Sequence, residues 1–157
     1  MNYSNKIEQN KSNLGAIGER IVSNYLTKQG GKVELSTNLY DRNKDLTVNN
    51  ESVEVKTQVI WIKFNALTIS PKQLSKCRSV NKLFFVTVPA PNPKHKSKYD
   101  GCIFSVDPKN FIYEEMETTT DKRKMLLIRI NQKAVDFVEK VSNEDLKELK
   151  KYTTSAY

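Results

Sequence analysis

Val53-Glu54-Val55-Lys56-Thr57 sets a carboxylate and an ammonium two residues apart inside a β-branched run. Side chains alternate across a strand, so Glu54 and Lys56 share one face while Val53, Val55 and Thr57 share the other. The segment before it, Asp45-Leu46-Thr47-Val48, also reads as a strand. Asn49-Asn50-Glu51-Ser52 between them reads as a tight turn, because Asn tolerates positive φ. A hairpin there brings Asp45 alongside Glu54. Two carboxylates converging on one point suit a hard divalent cation such as Mg²⁺ or Mn²⁺. A lysine beside them can orient or deprotonate an attacking water and steady the charge that develops on phosphate. The cation would polarise the phosphoryl oxygen and lower the pKa of its bound water. These parts suffice for phosphodiester hydrolysis. Asp41 rivals Asp45 for the aspartate role; Asp45 is preferred because it borders an apolar strand that would fix its direction.

The elements that must position these residues follow from periodicity and punctuation. Residues 1–11 are polar and aperiodic and read as a flexible leader. From Ser12, Leu14, Ile17, Ile21, Val22, Tyr25 and Leu26 paint one apolar helical stripe, stopped by Gly30-Gly31. Lys32 to Thr37 reads as a first strand, Asp45 to Val48 as a second and Val53 to Phe64 as a long third. Ser70, Pro71 and Gln73 form a helix start with a capping box, and that helix ends before Lys82. Leu83 to Val88 is continuously apolar, as in a strand covered on both faces. Gly101–Val106, Phe111–Glu114 and Met125–Ile130 are further strand candidates. Ala134, Val135, Val138 and Val141 predict a tail helix, renewed at Ser142 with Asp145, Leu146 and Leu149. The whole predicts one α/β domain over residues 12–157.

With the elements in this order, the chain resembles the PD-(D/E)XK nuclease superfamily. The resemblance rests on Asp45, a gap, then Glu54-Val55-Lys56, and covers roughly Ser12 to Val88. It implies a restriction-endonuclease-like mixed β-sheet with flanking helices, core order αβββαβ, here with extra C-terminal strands and a helix. Lys44 stands where the motif's name has proline, a position that varies in the superfamily. Many relatives, including archaeal Holliday-junction resolvases, also carry a glutamate on the first helix; Leu14-Gly15-Ala16-Ile17-Gly18-Glu19 supplies one, at the border of the apolar stripe. The resemblance thus implies a catalytic set of Glu19, Asp45, Glu54 and Lys56. Mg²⁺ or Mn²⁺ would be held by Asp45, Glu54, the Val55 carbonyl and, through water, Glu19. Gln58, two residues beyond Lys56, is an auxiliary candidate or an ordinary strand glutamine. The activity implied is a metal-dependent endonuclease acting on DNA, as a homodimer, since cutting two strands takes two symmetry-related sites.

Charge distribution bears on the partner. The 157-residue chain carries 26 Lys and Arg against 18 Asp and Glu, a net charge of +8. From Val55 to Tyr99 it contains no acid and nine bases, which predicts one positive face for phosphate. Lys72, Lys76, Arg78, Lys94, Lys96 and Lys98 are the candidate nucleic-acid contacts, against the plainer reading of a solvated lysine-rich surface. Lysines outnumber arginines 21 to 5. Lysine is a phosphate charge more than a reader of bases, which favours structure-selective action on branched or junction DNA over a restriction-type enzyme. A catalytically silent nucleic-acid-binding protein of the same fold is the other class. His95 stands alone among histidines, which argues against a catalytic triad, an HNH-type nuclease and a histidine-rich zinc site. Gly15 and Gly18 make no phosphate loop and read as close helix packing. Cys77 and Cys102 read as reduced thiols. With mean hydropathy −0.61 and no apolar leader, the sequence predicts a cytosolic protein without a membrane span.

Overall fold

The computed structural model describes residues 3–35 and 46–156. Helix α1 (Tyr3–Lys28) buries Leu14, Ile17, Ile21, Val22 and Leu26. It begins nine residues before the expected Ser12, so the polar residues read as a leader belong to its first turns. Those residues include no Gly or Pro, and a helix can run on past its buried stripe where nothing breaks it. Its C-terminus is closed as the sequence suggests. Gly30 takes φ +87°, Gly30 N–H donates to Thr27 O, and Gly31 N–H donates to Leu26 O at 3.0 Å, the paired bonds of a left-handed helix cap.

Strands β1 (Val33–Leu35), β2 (Leu46–Val48) and β3 (Glu51–Val59) form an antiparallel meander. Val48 pairs with Glu51 across Asn49 and Asn50, both at positive φ (50° and 65°). That is the two-residue hairpin whose twist matches the strands it joins. β3 is shorter than the expected run to Phe64. The chain turns at Trp61–Asn65, Asn65 taking φ 45°, and returns as β4 (Ala66–Ile69). Trp, Ile and Phe favour strands wherever they sit, so this turn is masked by its own aromatics.

A 3₁₀ turn, Pro71–Gln73, leads into the six-residue helix α2 (Leu74–Ser79). Pro71 stands at N1, but the expected capping box is absent: Ser70 makes no side-chain cap, and Gln73 N–H donates to the Ser70 carbonyl at 3.0 Å. β5 (Lys82–Val88) then runs parallel to β3. β6 (Cys102–Val106), β7 (Glu114–Glu117), β8 (Lys124–Arg129), β9 (Val135–Lys140) and α3 (Asn143–Ala156) complete the chain. One mixed sheet has the order β1-β2-β3-β5-β6-β9, and a second, antiparallel sheet the order β4-β8-β7.

Two of the later expectations are corrected. Residues 135–140 are a strand, not a helix. β9 pairs with β6 through a bulge between Ile103 and Phe104, which leaves Val138 as the extra residue. Val135 joins one core and Val138 the other, as residues three apart in a strand do, and the three-residue spacing of Val135, Val138 and Val141 imitates a helix. The strand expected at 111–114 lies further on, at the acidic β7, while Phe111 is buried as an anchor. The Ser142 start does hold, its Oγ accepting from Asp145 N–H at 3.2 Å.

Two cores flank the mixed sheet. α1 and α3 cover Val53, Phe84, Val86, Val88 and Ile103 on one face. On the other, α2 and the second sheet cover Leu83, Phe85, Phe104 and Val106. β5 is therefore buried on both faces, as its unbroken apolar run implied. Each large aliphatic or aromatic side chain so buried contributes roughly 1.5–3 kcal/mol.

At Gly18 α1 lies close against the sheet, so that an added Cβ would meet Thr57 Oγ1. At Gly15 the same atom would meet nothing within 4 Å. Gly18→Ala is therefore expected to lower the urea-unfolding free energy by about 1–3 kcal/mol. Gly15→Ala should raise it by about 0.5–1 kcal/mol through helix propensity alone. Equal effects at the two positions would contradict the close-packing role of Gly18.

Candidate active site

The site is built on β3, in the middle of the mixed sheet. Asn81 fixes where β5 starts against it, its Oδ1 accepting from Ser52 N–H at 2.9 Å and its own N–H donating to Ser52 O at 3.1 Å. From there Glu54 pairs with Leu83, Lys56 with Phe85 and Gln58 with Thr87. Val53, Val55 and Val59 pack in the core under α1. Glu54, Lys56 and Gln58 therefore share the opposite face, the alternation read from sequence.

Glu54 is 5% exposed. A carboxylate taken from water at such depth needs compensating charge, and it has two partners. Lys56 Nζ lies 3.0 Å from its Oε1, and Lys76 Nζ, reaching down from α2, lies 3.1 Å from its Oε2. The three groups sum to one positive charge in a largely dry setting, where charge is weakly screened. Lys76 reaches the site because its helix is pressed down by Cys77, which is fully buried, and Leu74. Burial pushes the Cys77 thiol above its ordinary pKa, with Lys56 opposing that shift. It is a buried packing thiol whose raised pKa lowers its thiolate fraction.

The remaining expected site residues lie as follows. Asp45 and its rival Asp41 fall outside the described residues. Leu46, directly after Asp45, pairs with Val53, directly before Glu54. Val55 pairs with Phe84 in the parallel ladder. Glu19 is half-buried on α1, whose apolar stripe lies on the face opposite Glu54 and Lys56. Gln58 faces the site side, but its amide is committed to β4: Nε2 donates to Thr68 O and Oε1 accepts from Thr68 N–H, both at 2.7 Å. It acts as a stitch between the two sheets. Among the described residues no group of three or more His, Cys, Asp or Glu side chains gathers as a metal site.

The basic stretch is divided. Lys72 is exposed beside the site's helix. Arg78 is drawn into structure, its guanidinium 3.8 Å from the Phe111 ring centroid and donating to Pro108 O at 3.3 Å. Lys94, Lys96 and Lys98 are exposed, on the loop after Val88. Val88 is five residues beyond Leu83, about 17 Å along the strand at roughly 3.3 Å per residue. Lys96 and Lys150 of α3 line one cavity of ≈ 420 Å³ with Asp100, Leu146 and Thr153. The candidate contacts thus lie along β5: Lys72, Lys76 and Arg78 on or beside α2 near its start, and Lys94, Lys96 and Lys98 on the loop after its end.

The pairing of Lys76 with Glu54 is the feature that sequence reading missed. Its signal was the position of Lys76 next to inward-facing Cys77 in a short helix, at the border of the stripe. No protein-family model matches this sequence, and no curated protein matches it. No helix among the described residues is long and apolar enough to cross a membrane.

Glu54→Gln leaves two ammoniums facing a neutral amide. Urea unfolding at neutral pH is expected to show a loss of about 1–3 kcal/mol, part of it recovered when Lys76→Met is added. Additive losses in the double variant would mean that the two residues are not coupled.

Proposed function

We propose that the protein is a metal-dependent endonuclease of the restriction-endonuclease-like class, hydrolysing DNA phosphodiester bonds at the Glu54–Lys56 face, with a preference for branched or junction DNA. The observation that carries this reading is the buried Glu54 carboxylate with Lys56 Nζ 3.0 Å away on the same strand face. Such a pair supplies a fixed anionic ligand and, beside it, a cation for water and phosphate. The order of elements supports it too: a helix, an antiparallel three-stranded meander, a helix, and a strand parallel to the third. The insertion of β4 before α2 departs from the plain αβββαβ order.

A divalent cation fits the donor chemistry in part. Glu54 would hold it, with Asp45 as the second carboxylate by virtue of the Leu46–Val53 pairing and the Val55 carbonyl as a third oxygen. The cation, when bound, would polarise the phosphoryl oxygen and acidify water. Lys56 would orient that water and balance charge on the phosphate, and Glu54 would keep Lys56 in place. Glu19 would act through water.

A second reading has its own observation. Both Glu54 oxygens are occupied by ammoniums, which equally describes a buried ion-pair core in a nucleic-acid-binding protein that does not cut. Incubation with labelled branched, duplex and single-stranded DNA in Mn²⁺ separates the two. Cleavage products, strongest on branched DNA, are expected; binding without products would favour the second reading.

Within the nuclease reading, Glu54→Gln and Asp45→Asn should each lower the single-turnover cleavage rate by at least roughly 10²-fold. Lys56→Ala should lower it similarly while Mn²⁺ still binds in calorimetric titration. Cleavage by Glu54→Gln at the parental rate would remove Glu54 from the reaction.

The division of the lysines makes the DNA partner testable as well. Replacing Lys94, Lys96 and Lys98 together should flatten the slope of log affinity against log salt on duplex DNA by about two to three units if the loop holds phosphates. Replacing Lys122, Lys124 and Lys133 removes the same formal charge elsewhere and should leave the slope close to parental. Equal changes would mean that net charge alone holds DNA.

A further inference from the structure

Glu54 has two oxygens and an ammonium on each. A divalent cation held by this carboxylate must share or displace one of them, because a cation and an ammonium cannot both sit close to one oxygen without strong repulsion. The two lysines differ in how easily they yield. Lys56 rises from the middle of β3, flanked by paired residues on β5, and its side chain is 17% exposed. Lys76 rises from the six-residue α2, and its side chain is 28% exposed. A lysine stem is long and flexible, so an ammonium near the surface can swing while its helix stays in place.

Resting on the nuclease reading, we propose that Lys76 is a positioning residue exchanged between two anions. It holds Glu54 Oε2 until a divalent cation takes that oxygen, and it then binds a non-bridging oxygen of the substrate phosphate. Before the exchange Lys76 compensates the buried carboxylate and occupies its Oε2. After it, the same ammonium adds positive charge where the phosphoryl group becomes more anionic. Cation and substrate are thereby coupled, since the cation takes the Glu54 oxygen and leaves that ion-pairing capacity of Lys76 to the phosphate. No covalent bond changes in the exchange; one ion pair is replaced by another.

Lys76→Met keeps the length of the stem and removes the charge. Calorimetric titration of the full chain with Mn²⁺, without DNA, should show Lys76→Met binding roughly tenfold more tightly than the parent. Lys72→Met, which removes the same charge from an exposed neighbour, should change affinity by less than about twofold. At saturating Mn²⁺, Lys76→Met should nevertheless cut at a single-turnover rate about 10²-fold lower. Lys76→Arg retains the charge and guards against misfolding of the first variant; its Mn²⁺ affinity should match the parent or fall below it. Unchanged or weaker Mn²⁺ binding by Lys76→Met overturns the proposal, as does parental cleavage at saturating Mn²⁺ or tighter Mn²⁺ binding by Lys76→Arg. A parent protein that cuts no DNA in Mn²⁺ overturns the nuclease reading and the proposal with it. A cleaving parent with unaltered metal affinity in Lys76→Met overturns the proposal alone.

Discussion

A carboxylate buried at the centre of a mixed sheet is the constraint around which this half of the molecule is arranged. Glu54 lies on β3 between β2 and β5, at 5% exposure, where an unpaired charge would cost several kcal/mol. Lys56 satisfies one oxygen from within the strand. The other is reached from α2, which therefore has to cross the sheet face at one height and in one orientation. A six-residue helix has little stability of its own. Its position is secured by Leu74 and Cys77 underneath, by Lys76 on Glu54, and by Arg78 on the Phe111 ring. The basic residues of α2, Lys76 and Arg78, thus also attach the helix to its surroundings.

The second sheet limits the same face from the other end. β4 leaves β3 through the Trp61–Asn65 turn and folds back over the core. Gln58 joins the two strands by bonding both backbone groups of Thr68, as another peptide group would. The face carried by Glu54, Lys56 and Gln58 is consequently closed at Gln58, and its charged part is confined to Glu54 and Lys56 near the start of β5. On the other side of the sheet, the contact of Gly18 with Thr57 sets α1 close against β3. A strand clamped from both faces offers little freedom to the side chains it carries, which is what a fixed charge pair requires.

The parts of this arrangement that were legible in the sequence are those governed by local rules. Asn49-Asn50 specified a two-residue hairpin, Gly30-Gly31 a helix end, and the run from Leu83 to Val88 a strand covered twice. The shared face of Glu54 and Lys56 followed from alternation alone. What escaped was set by contacts distant in the chain. β9 was concealed because Val135, Val138 and Val141 keep a helical spacing of three, although Val135 and Val138 lie on opposite faces of a strand. β4 was concealed because an aromatic turn has the composition of a strand. The first nine residues of α1 are polar in sequence apart from Tyr3 and Ile7, and so gave no periodicity to read. Lys76 on Glu54 depends on α2 lying across β3, a tertiary fact that neither segment carries by itself.

The same distinction governs how the chain's positive charge acts. A net charge of +8 invites the picture of one field spread over the basic stretch, but the fold separates that stretch into groups of different physical character. Lys56 and Lys76 are shielded from water and neutralise a carboxylate, so salt reaches them poorly. Lys94, Lys96 and Lys98 are solvated, and stand beyond the end of β5, about 17 Å from the level of Glu54. The Debye length at physiological ionic strength is about 8 Å. Solvated loop charges are therefore screened within that distance of one another, whereas the charges at Glu54, set in a drier surrounding, are screened much less. Among the described residues the ion pairs of the centre are those of one carboxylate, Glu54, with two ammoniums, Lys56 and Lys76, and its contacts are set by the packing of α2 on β3, not by the lysine-rich composition of the chain.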